Sequence, residues 1–142
     1  MKEGLTMLAD RYVFPAIFHF ADDGISVEFP DLPGCFSYGE DEIEALSNAK
    51  EALELHIFGL EDDKTIIPAP SHIKNIVTKK NESIVLIDIW MKPVRDFMKN
   101  KAIKKTLTIP KWLNDVAIEN DVNFSQLLQV AIKNYLGIST NE

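Results

Sequence analysis

The chain has 142 residues, of which 46% are hydrophobic, and a formal net charge of −7. This length accommodates one ordinary domain, or one small domain joined to a dimerising module. The single cysteine excludes an internal disulfide, and no segment approaches the roughly 20 apolar residues that a membrane-spanning helix needs.

The first 30 residues predict a hairpin. Residues 1–9 lack the basic start and apolar core of a signal peptide, so a cytoplasmic protein is expected. The β-branched and aromatic residues at 12–20 predict a strand, in which Pro15 should lie near an edge or the end of the sheet. Ala-Asp-Asp-Gly at 21–24 predicts a turn. Ile25, Val27 and Phe29 alternate with polar neighbours and predict a second strand with one buried face.

The next segment predicts a third strand, a helix and a fourth strand. Pro-Asp-Leu-Pro-Gly at 30–34 forms a tight corner, and a brief strand is expected at 35–38, with Cys35 as a small core residue. Glu40 or Asp41 should begin the helix. Its apolar stripe is predicted at Ile43, Leu46, Ala49, Leu53, Ile57 and Leu60. Residues 83–91 predict another apolar strand, so the order β-β-β-α-β indicates a compact α+β domain with the helix on one sheet face.

Three motifs distinguish this part of the chain: Tyr-Val-Phe-Pro-Ala at 12–16, Pro-Asp-Leu-Pro-Gly-Cys at 30–35 and Ile-Pro-Ala-Pro-Ser at 67–71. With them, residues 11–92 resemble the HicB antitoxin family. The resemblance implies a partial RNase H-like domain that binds and blocks a HicA toxin, a small basic ribonuclease that cleaves mRNA. Acidic side chains would attract such a toxin, and its contacts are expected at Asp31, Glu44, Glu51 and Glu54.

The charge changes sign along the chain. Residues 1–92 hold 8 Lys and Arg against 17 Asp and Glu, whereas residues 93–142 hold 7 against 5. We therefore predict two domains, 1–92 and 104–142, separated by a linker at 93–103 that can hold a short helix. Because phosphate attraction is screened beyond about 10 Å at 0.1 M salt, the local balance matters more for nucleic-acid binding than the acidic total.

The C-terminal segment predicts one strand and two helices. In Lys-Lys-Thr-Leu-Thr-Ile-Pro at 104–110, Leu107 and Ile109 share one face of a short strand. No second β-run follows, so the strand needs a partner from another chain, which predicts a dimer. Pro110 should start a helix that ends near residues 120–122. Asn123 should cap the next helix, with Gln126 three residues on, and Gly137 should close it.

This order resembles the ribbon-helix-helix DNA-binding domain, in which two chains pair their strands into an antiparallel ribbon that enters the DNA major groove. The resemblance implies a homodimer on a pseudo-palindromic operator. DNA contacts are expected at Lys104, Thr106, Thr108, Asn123, Phe124 and Ser125. Dimerisation is expected through Leu107, Ile109, Trp112, Leu128 and Ile132. A simpler alternative is an edge strand with a solvated polar face.

Together the two resemblances imply a type II antitoxin that inhibits a HicA-type toxin, represses its own operon as a dimer and enters a higher-order toxin–antitoxin complex. No metal is expected, because Cys35 and the scattered histidines form no ligand motif. No cofactor is expected either, and no enzymatic activity, because the acids are expected in turns and on the outer face of the helix. One alternative is a metal-dependent RNase H-like nuclease that the ribbon only dimerises, since such enzymes converge carboxylates on two cations. Another is a stand-alone transcription factor whose first domain binds a small ligand.

Overall fold

The computed structural model describes residues 9–138, and the chain divides into two compact units between residues 101 and 102. The elements of the first unit are β1 (Arg11–Ala21), β2 (Gly24–Glu28), β3 (Phe36–Gly39), α1 (Glu42–Asp62), β4 (Glu82–Trp90) and α2 (Met91–Asn100), with one 3₁₀ turn at Ile73–Asn75. The second unit contains α3 (Lys111–Glu119) and α4 (Phe124–Leu136). None of the helices within residues 9–138 is both long and apolar enough to cross a membrane.

The four strands form one antiparallel sheet in the order β3-β2-β1-β4. β1 and β2 make the predicted hairpin, in which Ala21 lies opposite Gly24 across a two-residue turn. β4 pairs with the other side of β1, from Trp90 opposite Arg11 to Glu82 opposite His19. The predicted β-β-β-α-β order and the mixed α+β class are therefore confirmed.

Pro15 lies in β1, which is an inner strand of this sheet. The N–H of Phe20 donates to Asn81 on the β4 side, and N–H groups alternate in direction along a strand, so position 15 faces the β2 side. Pairing with β2 begins only at Ile17. Of the two predicted positions, a strand edge is wrong, since β1 is an inner strand. Pro15 does lie past the end of the β1–β2 ladder, where it removes no hydrogen bond.

The core of the first unit lies between the sheet and α1. Phe14, Ala16 and Phe18 point from β1 toward the helix, and Cys35 is buried in the same core, as predicted. On α1 the fully buried positions are Ala45, Ala49, Leu53 and Ile57. They recur every four residues, which places them on one face of the helix. This packing is the main source of stability for the unit, because burial of apolar surface is the dominant favourable term in folding.

The first two positions of the predicted α1 stripe are wrong. Ile43 and Leu46 are 82% and 49% exposed, and Ala45 is buried in their place. Gly39 gives the physical reason, because a Cβ built on it would lie 2.2 Å from the backbone nitrogen of Ala45. The helix therefore approaches β3 closely at this point, and small residues fit there where large apolar ones do not.

The second unit has the predicted helices. Pro110 precedes α3, and the Oδ1 of Asn123 accepts a hydrogen bond from the N–H of Gln126 at 3.0 Å, which caps α4. Gly137 ends α4 in the left-handed conformation with φ of 74°. Residues 101–110 form neither helix nor strand within the single chain, and residues 93–100 of the predicted linker lie in α2.

Candidate functional site

Two of the four predicted toxin contacts hold parts of the first unit together. Asp31 accepts a hydrogen bond from the backbone N–H of Ser71 at 2.9 Å and another from its hydroxyl, so it ties the 30–34 corner to the Pro-containing loop. Glu44 lies in the first turn of α1, where its N–H donates to the capping Asp41 and its Oε1 accepts from the N–H of Glu40 at 2.6 Å. Both carboxylates are thus engaged within the chain.

The other two predicted contacts, Glu51 and Glu54, line an open cavity of about 300 Å³ between α1 and α2. We call this cavity the α1–α2 groove. Its apolar lining includes Leu55, Val94, Phe97 and Met98. Leu55 is 50% exposed and Phe97 is 67% exposed, so the groove presents apolar surface to solvent. Burial raises the pKa of Glu54, while the nearby Lys50 opposes this shift. The groove therefore combines apolar walls with carboxylates.

Arg95 fixes α2 to α1 and to the start of β1. Its Nε and Nη2 donate to the two carboxylate oxygens of Glu61 at 2.9 and 2.7 Å, and its Nη1 donates to Asp10 at 2.9 Å. The Glu61 side chain is only 5% exposed and that of Arg95 is 25% exposed. A two-pronged ion pair of this kind also fixes orientation, because the guanidinium and carboxylate planes must align. We call these three residues the Arg95 clamp.

The Arg95 clamp makes stability depend on pH at the acid end. The hydrogen bond from Arg95, aided by Lys92, lowers the pKa of Asp10 below its ordinary value. A carboxylate with a depressed folded-state pKa contributes stability above its unfolded pKa of about 3.9, and this contribution is lost as the pH falls through the folded value. We expect Asp10→Asn to have a lower urea midpoint than wild type at pH 6. The difference between the two midpoints should become smaller from about pH 4 downward.

Urea titrations at pH 6, 4 and 3 measure this effect, with Asp22→Asn in the exposed β1–β2 turn as the control. A difference in urea midpoint between wild type and Asp10→Asn that stays constant from pH 6 to pH 3 would contradict this role of the Asp10 carboxylate.

In the second unit, the residues predicted to contact DNA lie in two places. Lys104, Thr106 and Thr108 are exposed in the segment at 101–110. Phe124 and Ser125 form the first turn of α4, directly after the Asn123 cap. The N-terminus of a helix carries partial positive charge and free N–H groups, which suit a phosphate. Each of the two places therefore has chemistry compatible with DNA.

The residues predicted to dimerise leave apolar surface open. Between residues 102 and 138 no side chain is buried, and Leu107, Trp112 and Ile132 are 58%, 67% and 46% exposed. One cavity of about 530 Å³ is lined mainly by Leu107, Ile109, Phe124, Leu127, Leu128 and Ala131. Another of about 400 Å³ shares Ile109, Phe124 and Leu127 with it. A segment of this size with no buried side chain has no core of its own.

Carboxylates in the described chain do not converge as the nuclease alternative requires. Within residues 9–138, no group of three or more His, Cys, Asp or Glu side chains is placed to hold a metal ion. Asp22 and Asp23 lie in the β1–β2 turn, whereas Asp31 and Glu44 make the hydrogen bonds described above.

Sequence reasoning did not find the Arg95 clamp or the apolar part of the α1–α2 groove. Residues 93–103 were expected to be a linker, so Phe97 and Arg95 had no predicted partner. The spacing of Val94, Phe97 and Met98 at i, i+3 and i+4 is the pattern that indicates one apolar face on a helix.

Comparison with known proteins identifies the class. An α+β unit with an acidic helix and a second unit without its own core suits a regulator that acts by binding other molecules. The model of the HicB-like antitoxin of bacterial toxin–antitoxin systems matches residues 14–132. The chain belongs to this family.

Two other proteins are similar to this chain in sequence. An uncharacterized 14.9 kDa protein from the rep-hol intergenic region of Haemophilus phage HP1 is 32% identical over 104 residues, which is 71% of this chain and 75% of that protein. A UPF0150 protein of Helicobacter pylori is 35% identical over 74 residues, 52% of this chain and 90% of its own length.

Solved structures resemble both units. A toxin–antitoxin complex from Streptococcus pneumoniae contains a chain that is 27% identical, with a TM-score of 0.58, and the match covers 88% of this chain and 99% of that one. The Burkholderia pseudomallei antitoxin HicB is 21% identical with a TM-score of 0.53, covering 87% of this chain and 98% of that one, and shares the fold.

Proposed function

We propose that this antitoxin inhibits a HicA-type mRNA-cleaving toxin through its first unit and represses its own operon through its second. The first unit would be a partial RNase H-like domain without nuclease activity. The observation that carries the second function is the absence of any buried side chain within residues 102–138, although apolar residues recur along them. Such a segment gains a core only when another chain covers it.

The proposed second copy completes a ribbon-helix-helix domain. Residues 104–109 of two chains pair antiparallel, which satisfies backbone groups that have no ladder in the single chain. Leu107 and Ile109 then face inward, and the proposed dimer core also includes Trp112, Leu128 and Ile132. Lys104, Thr106 and Thr108 face outward into the major groove. Asn123, Phe124 and Ser125 approach a phosphate at the start of α4.

DNA binding tests this proposal. Fluorescence anisotropy with the upstream DNA of the operon compares wild type with Lys104→Ala/Thr106→Ala/Thr108→Ala at two salt concentrations. Loss of three groups that contact bases or phosphates is expected to weaken binding at least about 100-fold, since each good base contact contributes about 1–3 kcal/mol. Sedimentation of both proteins should show dimers.

The control is Lys74→Ala/Lys79→Ala/Lys80→Ala, which removes three positive charges from the first unit. This variant should retain specific binding. If it loses affinity as much as the strand variant does, general charge is responsible and the ribbon is not the DNA-binding element.

Toxin inhibition has a separate test. The match to a toxin–antitoxin complex from Streptococcus pneumoniae supports a toxin partner for this chain as well. Purified chain should abolish mRNA cleavage by the cognate HicA-type toxin, and the mixture should elute as a complex larger than the antitoxin dimer. RNA incubated with the chain alone and Mg²⁺ or Mn²⁺ should stay intact, whereas cleavage would favour the nuclease alternative. We also propose a cytoplasmic location and no cofactor, which are what these partners and activities imply.

A further inference from the structure

We propose that the α1–α2 groove is the anchor site for the basic protein partner, which inserts an apolar side chain between the two helices and sets a Lys or Arg beside Glu51 and Glu54. This inference rests on the proposed toxin binding, because the HicA-type toxin is the basic protein expected there. Under this proposal, the toxin is held by an apolar pocket and two carboxylates, in addition to the general attraction between an acidic surface and a basic protein.

Exposed apolar side chains in the groove support the proposal that a partner protein binds there. Phe97 is 67% exposed although it lies within a regular helix, and Leu55 is 50% exposed on the facing helix. The cavity of about 300 Å³ between them is large enough for a side chain. Aromatic residues that fill or line such a pocket at the centre of an interface usually dominate binding, because they are fully removed from water.

The negative charge of the groove indicates a basic partner. Glu51 and Glu54 line the groove, and the charge of Lys50 opposes the raised pKa of Glu54. Burial already disfavours the charged form of Glu54, so a partner cation placed beside it would gain more than it would beside a fully hydrated carboxylate. The surrounding residues 1–92 also carry an excess of acids.

The same charges argue against a second copy of this chain in the groove. A symmetric groove-to-groove contact would place the groove carboxylates of one chain close to those of the other, and like charges brought together out of water disfavour association. The Arg95 clamp joins α2 to α1, so both walls of the groove are held by one ion pair.

The test uses full-length protein and purified cognate HicA-type toxin in calorimetric titrations. Phe97→Ala is expected to weaken binding at least about 30-fold, and Leu55→Ala about 10-fold. Phe36→Ala is the matched control, because Phe36 has the same 67% exposure but lies on β3. It should change affinity less than about 3-fold. Thermal unfolding of each variant checks that the fold is intact.

Glu51→Gln/Glu54→Gln tests the charge component. This variant should weaken binding about 10-fold at low salt and reduce the dependence of affinity on salt. If wild type binds toxin but Phe97→Ala and Leu55→Ala bind as tightly as Phe36→Ala, the groove is not the anchor site, while the proposed toxin inhibition stands. If wild type does not bind the toxin at all, both the groove proposal and the proposed inhibition are wrong.

Discussion

Gly39→Ala is expected to unfold the first unit or destabilise it severely. A Cβ at this position would lie 2.2 Å from the backbone nitrogen of Ala45 and 2.4 Å from its Cα. These are backbone atoms at the start of α1, so relief requires the whole helix to shift away from β3. Because α1 carries one side of the core, we expect a loss of about 3 kcal/mol or more in the free energy of unfolding.

Circular dichroism during urea denaturation measures this loss, and Gly59→Ala is the matched control. Gly59 lies inside α1, and a Cβ built there has no neighbour within 4 Å. Alanine is a better helix former than glycine, so this variant should gain about 1 kcal/mol. The same substitution thus has opposite effects at two positions. A Gly39→Ala protein as stable as wild type would contradict the close approach of α1 to β3.

Arg95→Met is expected to destabilise the first unit by about 3 kcal/mol, because it leaves the nearly buried carboxylate of Glu61 without its partner. The cost comes from an uncompensated charge more than from lost attraction. Accordingly, Arg95→Met/Glu61→Leu should recover most of the stability, since an apolar pair can replace a buried ion pair at little cost.

The control for Arg95 is Lys92→Met. Lys92 also pairs with Asp10, but at 3.6 Å and with a side chain that is 63% exposed. Exposed pairs contribute little, so a change below about 1 kcal/mol is expected. Urea denaturation of the four proteins at pH 7 separates the cases. Equal losses for Lys92→Met and Arg95→Met, or no recovery in the double variant, would show that Glu61 does not depend on Arg95.

Local patterns predicted the four strands and α1 of the first unit because each has a clear period. Alternation at Ile25 and Val27 and the Asp-Asp turn before them determine the β1–β2 hairpin without distant contacts. The buried face of α1 was predicted only in part. Hydrophobicity favoured Ile43 over Ala45, whereas the close approach of Gly39 selected the smaller residue. Such a selection depends on a tertiary distance, which periodicity does not contain.

The candidate site was predicted less completely than the fold. Glu51 and Glu54 were expected to contact a partner, and the structure places both in the α1–α2 groove. The opposite wall was not predicted, because α2 was taken for a linker and its contacts reach back to Asp10 and Glu61. The strand at 104–109 remains a prediction, since its pairing needs a second chain.

Because Cys35 is buried, the rate at which its thiol is chemically labelled can measure local opening of the first unit. Its thiol donates to the carbonyl of Ala52 in α1, and burial raises its pKa to about 11. The thiolate is the nucleophile that attacks a thiol reagent, and it must be accessible to do so, so labelling requires separation of the corner before β3 from the helix. Since the sequence has no other cysteine, every modified molecule records this one event. With fast reclosing, the labelling rate gives the free energy of local opening without any attached probe.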